Sequence, residues 1–337
     1  MSGSGMDGQP LLRVEHSVKR YALRRLGLRR SYVAALDDVS VAVRRGECVG
    51  LVGESGSGKS TLGRCVLNLT PLDAGRIVFQ GREIQALGER DWRPLRRQLQ
   101  MVFQNPLTSF NPMMTIEQSL QDALRHTTGM EAAARRNHAR VLLEQVQLDQ
   151  RFAGLYPYEL SGGQLQRAAI ARALAPGPDF LFLDEPTAAL DMSIKGQIVN
   201  LLRDLQRRHE RALIFVSHDL RAVRYVADRM CVMYQGQVVE QGSRAAVFDR
   251  PRHPYTRALL AATLIGRGAR AASTAPGGDG ESAERSPEGC RLVGRCPFAQ
   301  ERCRREPQEL RPIAPGHEVR CWRSEELPAA ERVAGSR

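Results

Sequence analysis

A glycine-rich segment near the amino terminus has the residue types and spacing that bind phosphate. It reads Gly53-Glu54-Ser55-Gly56-Ser57-Gly58-Lys59-Ser60 and lies between an apolar run and a helical pattern. Glycines let the backbone turn tightly and approach a ligand closely, so that N–H groups at a helix start surround a phosphate. The pattern predicts that Lys59 reaches the β- and γ-phosphates of a nucleotide and that Ser60 binds Mg2+.

Two consecutive acids follow a second apolar run, Phe180-Leu181-Phe182-Leu183. An apolar run of this kind is typical of a buried strand, which would present both acids at its end. We predict that Asp184 lies near the metal ion and that Glu185 polarises the water that attacks the γ-phosphate.

A third motif, Leu160-Ser161-Gly162-Gly163-Gln164, stands between these two. Ser161 is a predicted N-cap of a helix over residues 162–174, because a serine side chain can accept a hydrogen bond from a free N–H at a helix start. A serine and two glycines in that place also form a second phosphate cradle. Since the first site is already complete, we predict that this cradle serves nucleotide held by another subunit.

In this order and spacing, the motifs resemble those of the ATP-binding-cassette (ABC) ATPases, over residues 11 to 262. The resemblance implies that Gln104 contacts Mg2+ and water and reports the nucleotide state to a membrane subunit. It also implies that Asp191, in Ala189-Leu190-Asp191, belongs to the D-loop and that His218 is the switch histidine. Two cassettes would pair head to tail, with ATP between Lys59 of one and the serine-glycine cradle of the other.

The predicted site residues fall into three groups. The catalytic residues are Glu185, His218 and Gln104, and the Mg2+ ligands are Ser60, Gln104 and Asp184. The nucleotide-binding residues are Gly53, Glu54, Ser55, Gly56, Ser57, Gly58, Lys59, Ser60, Thr61, Tyr21, Ser161, Gly162, Gly163, Gln164 and Asp191.

Two tyrosines are candidates for the aromatic side chain that stacks on adenine. Tyr21, in Val18-Lys19-Arg20-Tyr21, has the local pattern of the family if residues 23–31 are an insertion. Tyr32 fits an ungapped count. We favour Tyr21 on the local pattern.

Several strings resemble the ATPase subunits of oligopeptide, dipeptide and nickel importers. They are Val102 to Pro106, Ser109 to Pro112, Tyr156 to Leu160, Leu190 to Ile194 and His253 to Leu260. The resemblance implies two transmembrane permease subunits, a second ABC ATPase subunit that is identical or different, and an extracytoplasmic solute-binding protein. The chain is then the ATP-hydrolysing motor of a membrane importer for dipeptides or oligopeptides, on the cytoplasmic face of the cell membrane.

Four of the seven cysteines fall near the carboxyl terminus, at Cys290, Cys296, Cys303 and Cys321. Four thiolates in a cytoplasmic protein suit an iron–sulfur cluster or Zn2+ better than lasting disulfides. Importers of this type have a similar cysteine-bearing tail, and some hold a [4Fe-4S] cluster there. The wide spacings favour the cluster, with Zn2+ or unmetallated thiols as alternatives.

The elements that position these residues follow a β-α-β pattern. The runs 180–183 and 212–216 are predicted buried strands, and residues 193–208 between them have apolar residues at helical spacing. Residues 113–176 show helical periodicity without a strand. With the resemblance, this predicts an α/β P-loop fold: a RecA-like core, an amino-terminal antiparallel β subdomain, an inserted helical subdomain and a small Cys-rich carboxyl-terminal extension.

We predict four segments. They are a flexible leader over residues 1–10, the ABC nucleotide-binding domain over 11–262, a flexible linker over 263–289 and the Cys-rich extension over 290–337, as a separate appendix.

Composition limits the classes of function. The 337 residues are 42% hydrophobic and 26% charged, which excludes a wholly disordered chain. No apolar run reaches the roughly 18 residues of a membrane span, and the first residues contain no apolar h-region, so we expect no secretory signal. The net charge of +12 comes from arginines spread along the chain, so we expect no nucleic-acid partner.

The alternative function is a soluble ABC ATPase that acts on DNA or ribosomes. That class predicts paired cassettes in one chain or a long nucleic-acid arm, and the sequence has neither.

Overall fold

The computed structural model describes residues 9–23, 31–188, 190–264 and 289–327. The strands are β1 (Leu12–Leu23), β2 (Ser31–Val43), β3 (Cys48–Val52), β4 (Ala74–Phe79), β5 (Arg82–Glu83), β6 (Leu99–Val102), β7 (Phe180–Asp184), β8 (Ala212–Val216), β9 (Arg229–Tyr234), β10 (Gln237–Ser243), β11 (Arg311–Ala314) and β12 (His317–Val319). The helices are α1 (Lys59–Val66), α2 (Glu89–Gln98), α3 (Ile116–Thr127), α4 (Ala132–Gln145), α5 (Gly162–Leu174), α6 (Met192–His209), α7 (Leu220–Val226), α8 (Arg244–Asp249), α9 (Pro254–Leu264) and α10 (Glu301–Arg305).

The central sheet has the strand order β11-β12-β10-β9-β3-β8-β7-β6. The five strands from β9 to β6 pair in parallel. Every residue of β3, β7 and β8 is buried, as the continuous apolar runs predict for strands covered on both faces. Parallel pairing brings the carboxyl ends of these strands to one edge. The phosphate loop, the Asp184–Glu185 pair and the segments after β6 and β8 therefore meet there.

A smaller antiparallel sheet, β2-β1-β4-β5, packs against the central sheet. Leu12 and Ile77 from the small sheet share one hydrophobic core with Phe182 and Ile214 from the central sheet. This sheet is the predicted amino-terminal antiparallel subdomain, and the same core includes Leu62 and Val66 of α1, the helix that follows the phosphate loop.

The segment over residues 113–176 is helical, as predicted. It contains α3, α4, α5 and short 3-10 turns, with no strand among its residues. The capping-box residues of α3 are Thr115 and Gln118, whose side chains each accept a hydrogen bond from the other's backbone N–H.

The cysteine-bearing segment is not a separate appendix, in contrast to the sequence-based prediction. β12 pairs with β10 and so continues the central sheet. The buried His317 Nε2 lies 2.8 Å from Glu240 Oε1, and Arg320 donates to the carbonyl of Val238. The segment joins the sheet because the backbone groups at the edge of β10 pair with β12. This pairing could not be predicted because β12 has only three residues, too few to show an alternating pattern.

The predicted leader and linker lie mostly outside the described residues. Where the linker was predicted to begin, α9 continues to Leu264. In the described ranges, no helix combines the length and apolarity needed to cross a membrane.

The buried His253 predicts a loss of stability in mild acid. Burial lowers its pKa to about 4, and its Nδ1 accepts a hydrogen bond from the N–H of Tyr255. Between that value and the unfolded pKa of about 6.5, the unfolded chain binds a proton that the folded chain excludes. Stability should therefore fall by about 1.4 kcal/mol per pH unit below pH ~6.5, to a total of about 3 kcal/mol.

Urea unfolding at a series of pH values measures this effect. The variant His253→Asn keeps an acceptor for Tyr255 but no titrating ring, so its free energy of unfolding should depend less on pH. His126→Gln, at an exposed position, is the control with the wild-type slope. Equal slopes for wild type and His253→Asn would contradict the prediction.

Candidate nucleotide-binding and catalytic site

The phosphate loop joins β3 to α1, and its glycines are required by the backbone. Gly58 caps α1 with φ 104°, and a Cβ there would lie 2.3 Å from the carbonyl oxygen of Ala35. Gly53 has φ 153°, and a Cβ there would lie 2.1 Å from the carbonyl oxygen of Met233. Any larger residue at either position would displace the loop from its neighbours.

Lys59 is buried, and its ammonium group donates to the loop itself. Nζ lies 2.8 Å from the carbonyl oxygens of Gly53 and Glu54 and 3.1 Å from Ser57 Oγ. Burial lowers the pKa of Lys59, against the attraction of Glu185 and Asp184. This ammonium group can exchange its loop acceptors for phosphate oxygens.

Ser60 and Asp184 form a pair suited to Mg2+. Ser60 Oγ donates to Asp184 Oδ1 at 3.0 Å. Burial raises the pKa of Asp184 while this hydrogen bond opposes the shift. A cation would offset the cost of burying the carboxylate, and hydroxyl and carboxylate oxygens are hard ligands of the kind that Mg2+ prefers. The donor set fits the predicted ion.

Glu185 connects the other two predicted catalytic side chains. Gln104 Nε2 donates to Glu185 Oε2 at 3.1 Å, and His218 Nδ1 lies 3.5 Å from the same oxygen. Gln104 follows β6, Glu185 follows β7 and His218 follows β8, so three neighbouring parallel strands deliver them. Glu185 has φ 46°, an uncommon conformation for a non-glycine residue and one concentrated at functional sites.

The second cradle lies at the start of α5. Gln164 N–H donates to Ser161 Oγ, and Ser161 N–H donates to Gln164 Oε1. The predicted N-cap is therefore present, and both of these hydrogen bonds stay within the motif. Ser161 and Gly162 are exposed, while a Cβ on Gly163 would lie 2.7 Å from Ile194 in α6. Asp191, also exposed, stands at the N-cap position of α6, where its side chain makes no cap hydrogen bond. The arrangement leaves the cradle open to another molecule.

Tyr21 and Tyr32 lie on neighbouring strands, β1 and β2. Tyr21 pairs with Val33, and Tyr32 pairs with Ala22. Directly paired residues share a face and successive residues alternate, so the two tyrosines point to opposite faces of the small sheet. Both are exposed, at 40% and 57%. Only one of them can face a nucleotide at the phosphate loop.

We predict that Tyr21→Ala raises the KM for ATP about tenfold, since a base stacked on an aromatic side chain contributes about 1–3 kcal/mol. Tyr32→Ala is the matched control and should leave the KM within about twofold of wild type. Steady-state ATPase assays measure both. The reverse result would assign the stacking role to Tyr32.

The sequence prediction missed two residues that contact the phosphate loop. Tyr255 Oη accepts a hydrogen bond from the N–H of Glu54 at 2.9 Å. Arg295 donates to both carboxylate oxygens of Glu54, and the same guanidinium lies 3.4 Å from Tyr234 Oη. No local motif marks these contacts, because they join residues more than 200 positions apart.

The four carboxyl-terminal cysteines line one cavity. Burial raises the pKa of Cys290 and of Cys321 to about 11 and also raises that of Cys296, so these thiols are protonated in the absence of a metal. In the described ranges, no three His, Cys, Asp or Glu side chains are grouped so as to hold a metal ion. This result gives the predicted cluster no support.

Comparison with known proteins agrees with the geometry. The profile of the ABC transporter family matches residues 36–188, and the profile described as oligopeptide/dipeptide transporter, C-terminal region, matches residues 239–303. A putative peptide import ATP-binding protein of Brucella ovis is 44% identical over 319 residues, which cover 94% of this chain and 99% of the relative. A probable peptide ABC transporter ATP-binding protein of Sinorhizobium fredii is 42% identical, over 92% of this chain and 89% of the relative.

Solved structures show the same fold. The dimeric ATP-binding cassette MJ0796 in a post-hydrolysis state, bound to ADP and Pi, has a TM-score of 0.63 and 30% identity, and the match covers 69% of this chain and 98% of that one. The structure of cbiO1 from Clostridium perfringens, part of the ABC transporter complex cbiONQ, has a TM-score of 0.62 and 28% identity over 71% of this chain and 91% of that one.

The phosphate loop after a parallel strand, the acid pair after another and the inserted helical subdomain define an ATP-hydrolysing cassette. The chain belongs to the ABC transporter family, in the group with the oligopeptide/dipeptide transporter carboxyl-terminal region.

Proposed function

We propose that this ATPase is the motor subunit of a membrane importer for dipeptides or oligopeptides. The observation that carries the catalytic part is the contact of Glu185 with both Gln104 and His218 beside the phosphate loop. The peptide part rests on the matched carboxyl-terminal region and on relatives named as peptide import proteins.

The positions of the side chains support the proposed catalytic roles. The N–H groups at the start of α1 and the ammonium group of Lys59 bind the phosphates of ATP. Ser60 and Asp184 would hold Mg2+, with Gln104 as the predicted third ligand, and the ion would supply positive charge that stabilises the phosphates of ATP. Glu185 orients a water molecule and accepts its proton as the oxygen attacks γ-phosphorus. The bond to the bridging oxygen then breaks, and ADP and phosphate leave.

His218 and Gln104 position Glu185 and the attacking water. His218 is more than half exposed at the same edge, where it can also contact the γ-phosphate. The group is therefore poised to respond to the presence of that phosphate.

We infer that the cassette works as a dimer. Ser161 and Gly162 are exposed, and the motif's own hydrogen bonds join Ser161 and Gln164, so a second cassette can present this cradle to the ATP held at Lys59. Binding energy gained only in the closed dimer drives closure, and hydrolysis resets it. The second cassette is a copy of this chain or a related chain.

The remaining partners are two transmembrane permease subunits and an extracytoplasmic solute-binding protein. The ATPase would attach through the permeases to the cytoplasmic face of the cell membrane. The exposed side chains of Leu107, Met113 and Tyr158, on and beside the helical subdomain, are available for such a contact.

Affinity purification from native membranes in mild detergent tests this assembly. We expect two multi-span subunits and a second cassette in the eluate, and ATPase activity that rises when the binding protein and peptides are added in proteoliposomes. Recovery of ribosomes or DNA without membrane subunits would contradict the proposal and favour the soluble alternative.

We also propose that the cysteine cavity holds an iron–sulfur cluster. Cys290, Cys296, Cys303 and Cys321 face the same space, and backbone N–H groups two residues after Cys290, Cys296 and Cys321 point to their sulfurs. Four cysteine thiols are a complete ligand set for such a cluster, with Zn2+ as the alternative occupant.

Anaerobic purification followed by iron and sulfide analysis tests the cluster. We expect about four irons and four sulfides per chain in the wild type and a large loss of both in Cys321→Ser. Absence of iron from anaerobic wild-type protein would contradict it.

A further inference from the structure

A short turn of the cysteine-bearing segment lies against the phosphate loop. The turn, residues 293–295, ends in Arg295, whose two terminal nitrogens lie 3.2 and 3.3 Å from the carboxylate oxygens of Glu54. A guanidinium that donates to both oxygens of one carboxylate fixes its orientation as well as its charge. The contact joins the second residue of the phosphate loop to a segment that has no place in the catalytic chemistry.

The backbone of Glu54 is held by a second contact. Its N–H donates to Tyr255 Oη, and the rings of Tyr255 and Tyr234 pack with centroids 4.5 Å apart. Arg295 lies over the Tyr234 ring and near its hydroxyl. The side chain and the backbone of Glu54 are thus both fixed by groups from the carboxyl-terminal third of the chain.

The position of Arg295 depends on the thiol cavity. Cys296 follows it directly, and Cys290 stands just before the turn, so both ends of the turn are anchored at the cavity. The turn itself is closed by the N–H of Arg295, which donates to the carbonyl of Leu292, and Leu292 and Val293 are buried. A change in the cavity that shifts Cys296 would move Arg295.

We propose that Arg295 is a positioning residue for the phosphate loop and makes nucleotide affinity depend on the state of the thiol cavity. The inference rests on the proposed ATPase function and adds that the thiol cavity influences nucleotide affinity. Without the Arg295 contact, the Glu54 side chain loses this restraint, and ATP must order a looser loop when it binds. The effect should fall on nucleotide binding, since the described contacts of Arg295 are with Glu54 of the phosphate loop and with Tyr234.

The first test compares Arg295→Ala, Arg295→Lys and Arg305→Ala. Arg305 is the matched control: an exposed arginine of the same segment, paired with Glu301. Calorimetric titration with MgADP should show about threefold to fivefold weaker binding for Arg295→Ala, as expected for a partly exposed ion pair, intermediate binding for Arg295→Lys and wild-type binding for Arg305→Ala. The KM for ATP should rise by the same factor, with kcat within about twofold of wild type.

Two double variants separate positioning from general stability. Glu54→Gln should weaken MgADP binding like Arg295→Ala, and the double variant should be no weaker than either single one. Cys296→Ser should act in the same direction, and again without further loss when combined with Arg295→Ala. A lower melting temperature with unchanged MgADP affinity in the folded variants would assign Arg295 a structural role only and overturn the proposal.

Failure of this inference and failure of the proposed function give different results. If wild-type protein neither binds MgADP nor hydrolyses ATP, the proposed function is wrong. If the wild type does both and Arg295→Ala matches it, only the positioning role is wrong. If Cys296→Ser leaves affinity unchanged while Arg295→Ala lowers it, the dependence on the thiol cavity is wrong.

Discussion

Glu185→Gln is expected to lower kcat for ATP hydrolysis by at least about a hundredfold while ATP binding is retained. The amide still accepts from Gln104 but cannot take a proton from water, and general-base catalysis contributes about 10²–10⁴ in rate. Because hydrolysis resets the dimer, the variant should accumulate as an ATP-bound pair of cassettes. Steady-state phosphate release and size-exclusion chromatography with MgATP measure the two effects.

Glu131→Gln is the matched control for this substitution. Glu131 is exposed at the start of α4, and its side chain makes no cap hydrogen bond there. Its kcat should equal that of the wild type. A Glu185→Gln protein with more than about a tenth of wild-type activity would show that another group accepts the proton.

Lys59→Ala is expected to weaken MgATP binding by about a hundredfold. The ammonium group of Lys59 donates to three acceptors of the loop. Lys59 is the only lysine in residues 53–60. Hydrogen bonds to charged groups contribute about 1.5–3 kcal/mol each, so loss of the contacts to phosphate removes most of the affinity. Calorimetric titration with MgATP, at concentrations up to the millimolar range, measures the change.

Two further variants define the cause of this loss. Lys59→Arg keeps the charge but brings a planar, branched group into a space that holds a single ammonium, and it should remain at least about tenfold weaker than wild type. Arg82→Ala removes an exposed positive charge from β5 and should bind MgATP as the wild type does. Wild-type affinity in Lys59→Ala would place the phosphates elsewhere.

The sequence was sufficient for those parts of the site that are built from neighbouring residues. The hydrogen bonds of Lys59 within the phosphate loop and those of the Ser161 cap are local, because they span only two to six positions. The Asp184–Glu185 pair could be predicted because a continuous apolar run marks β7 as buried. Parallel pairing then brings Gln104 and His218 to the same edge of the sheet, so their position does not depend on a long-range side-chain contact.

Other parts could not be predicted because they depend on which distant surfaces pack together. Glu54 and Arg295 are 241 positions apart, and neither belongs to a periodic pattern that would place them face to face. The strand β12 has three residues, fewer than alternation needs to be visible. For the same reason His317, which bonds to Glu240 in the interior, could not be distinguished from a solvated loop histidine.

The pairing of β12 with β10 has a consequence for synthesis on the ribosome. β10 ends at Ser243, and the strand that covers its edge begins only at His317. At about 5–20 residues per second, the nascent chain spends several seconds with this edge unpaired and the Glu240 carboxylate without its histidine. An open edge is a template for pairing with other chains. Truncated products that stop before β12 should therefore aggregate, and slow translation of the last third of the message should favour chaperone dependence.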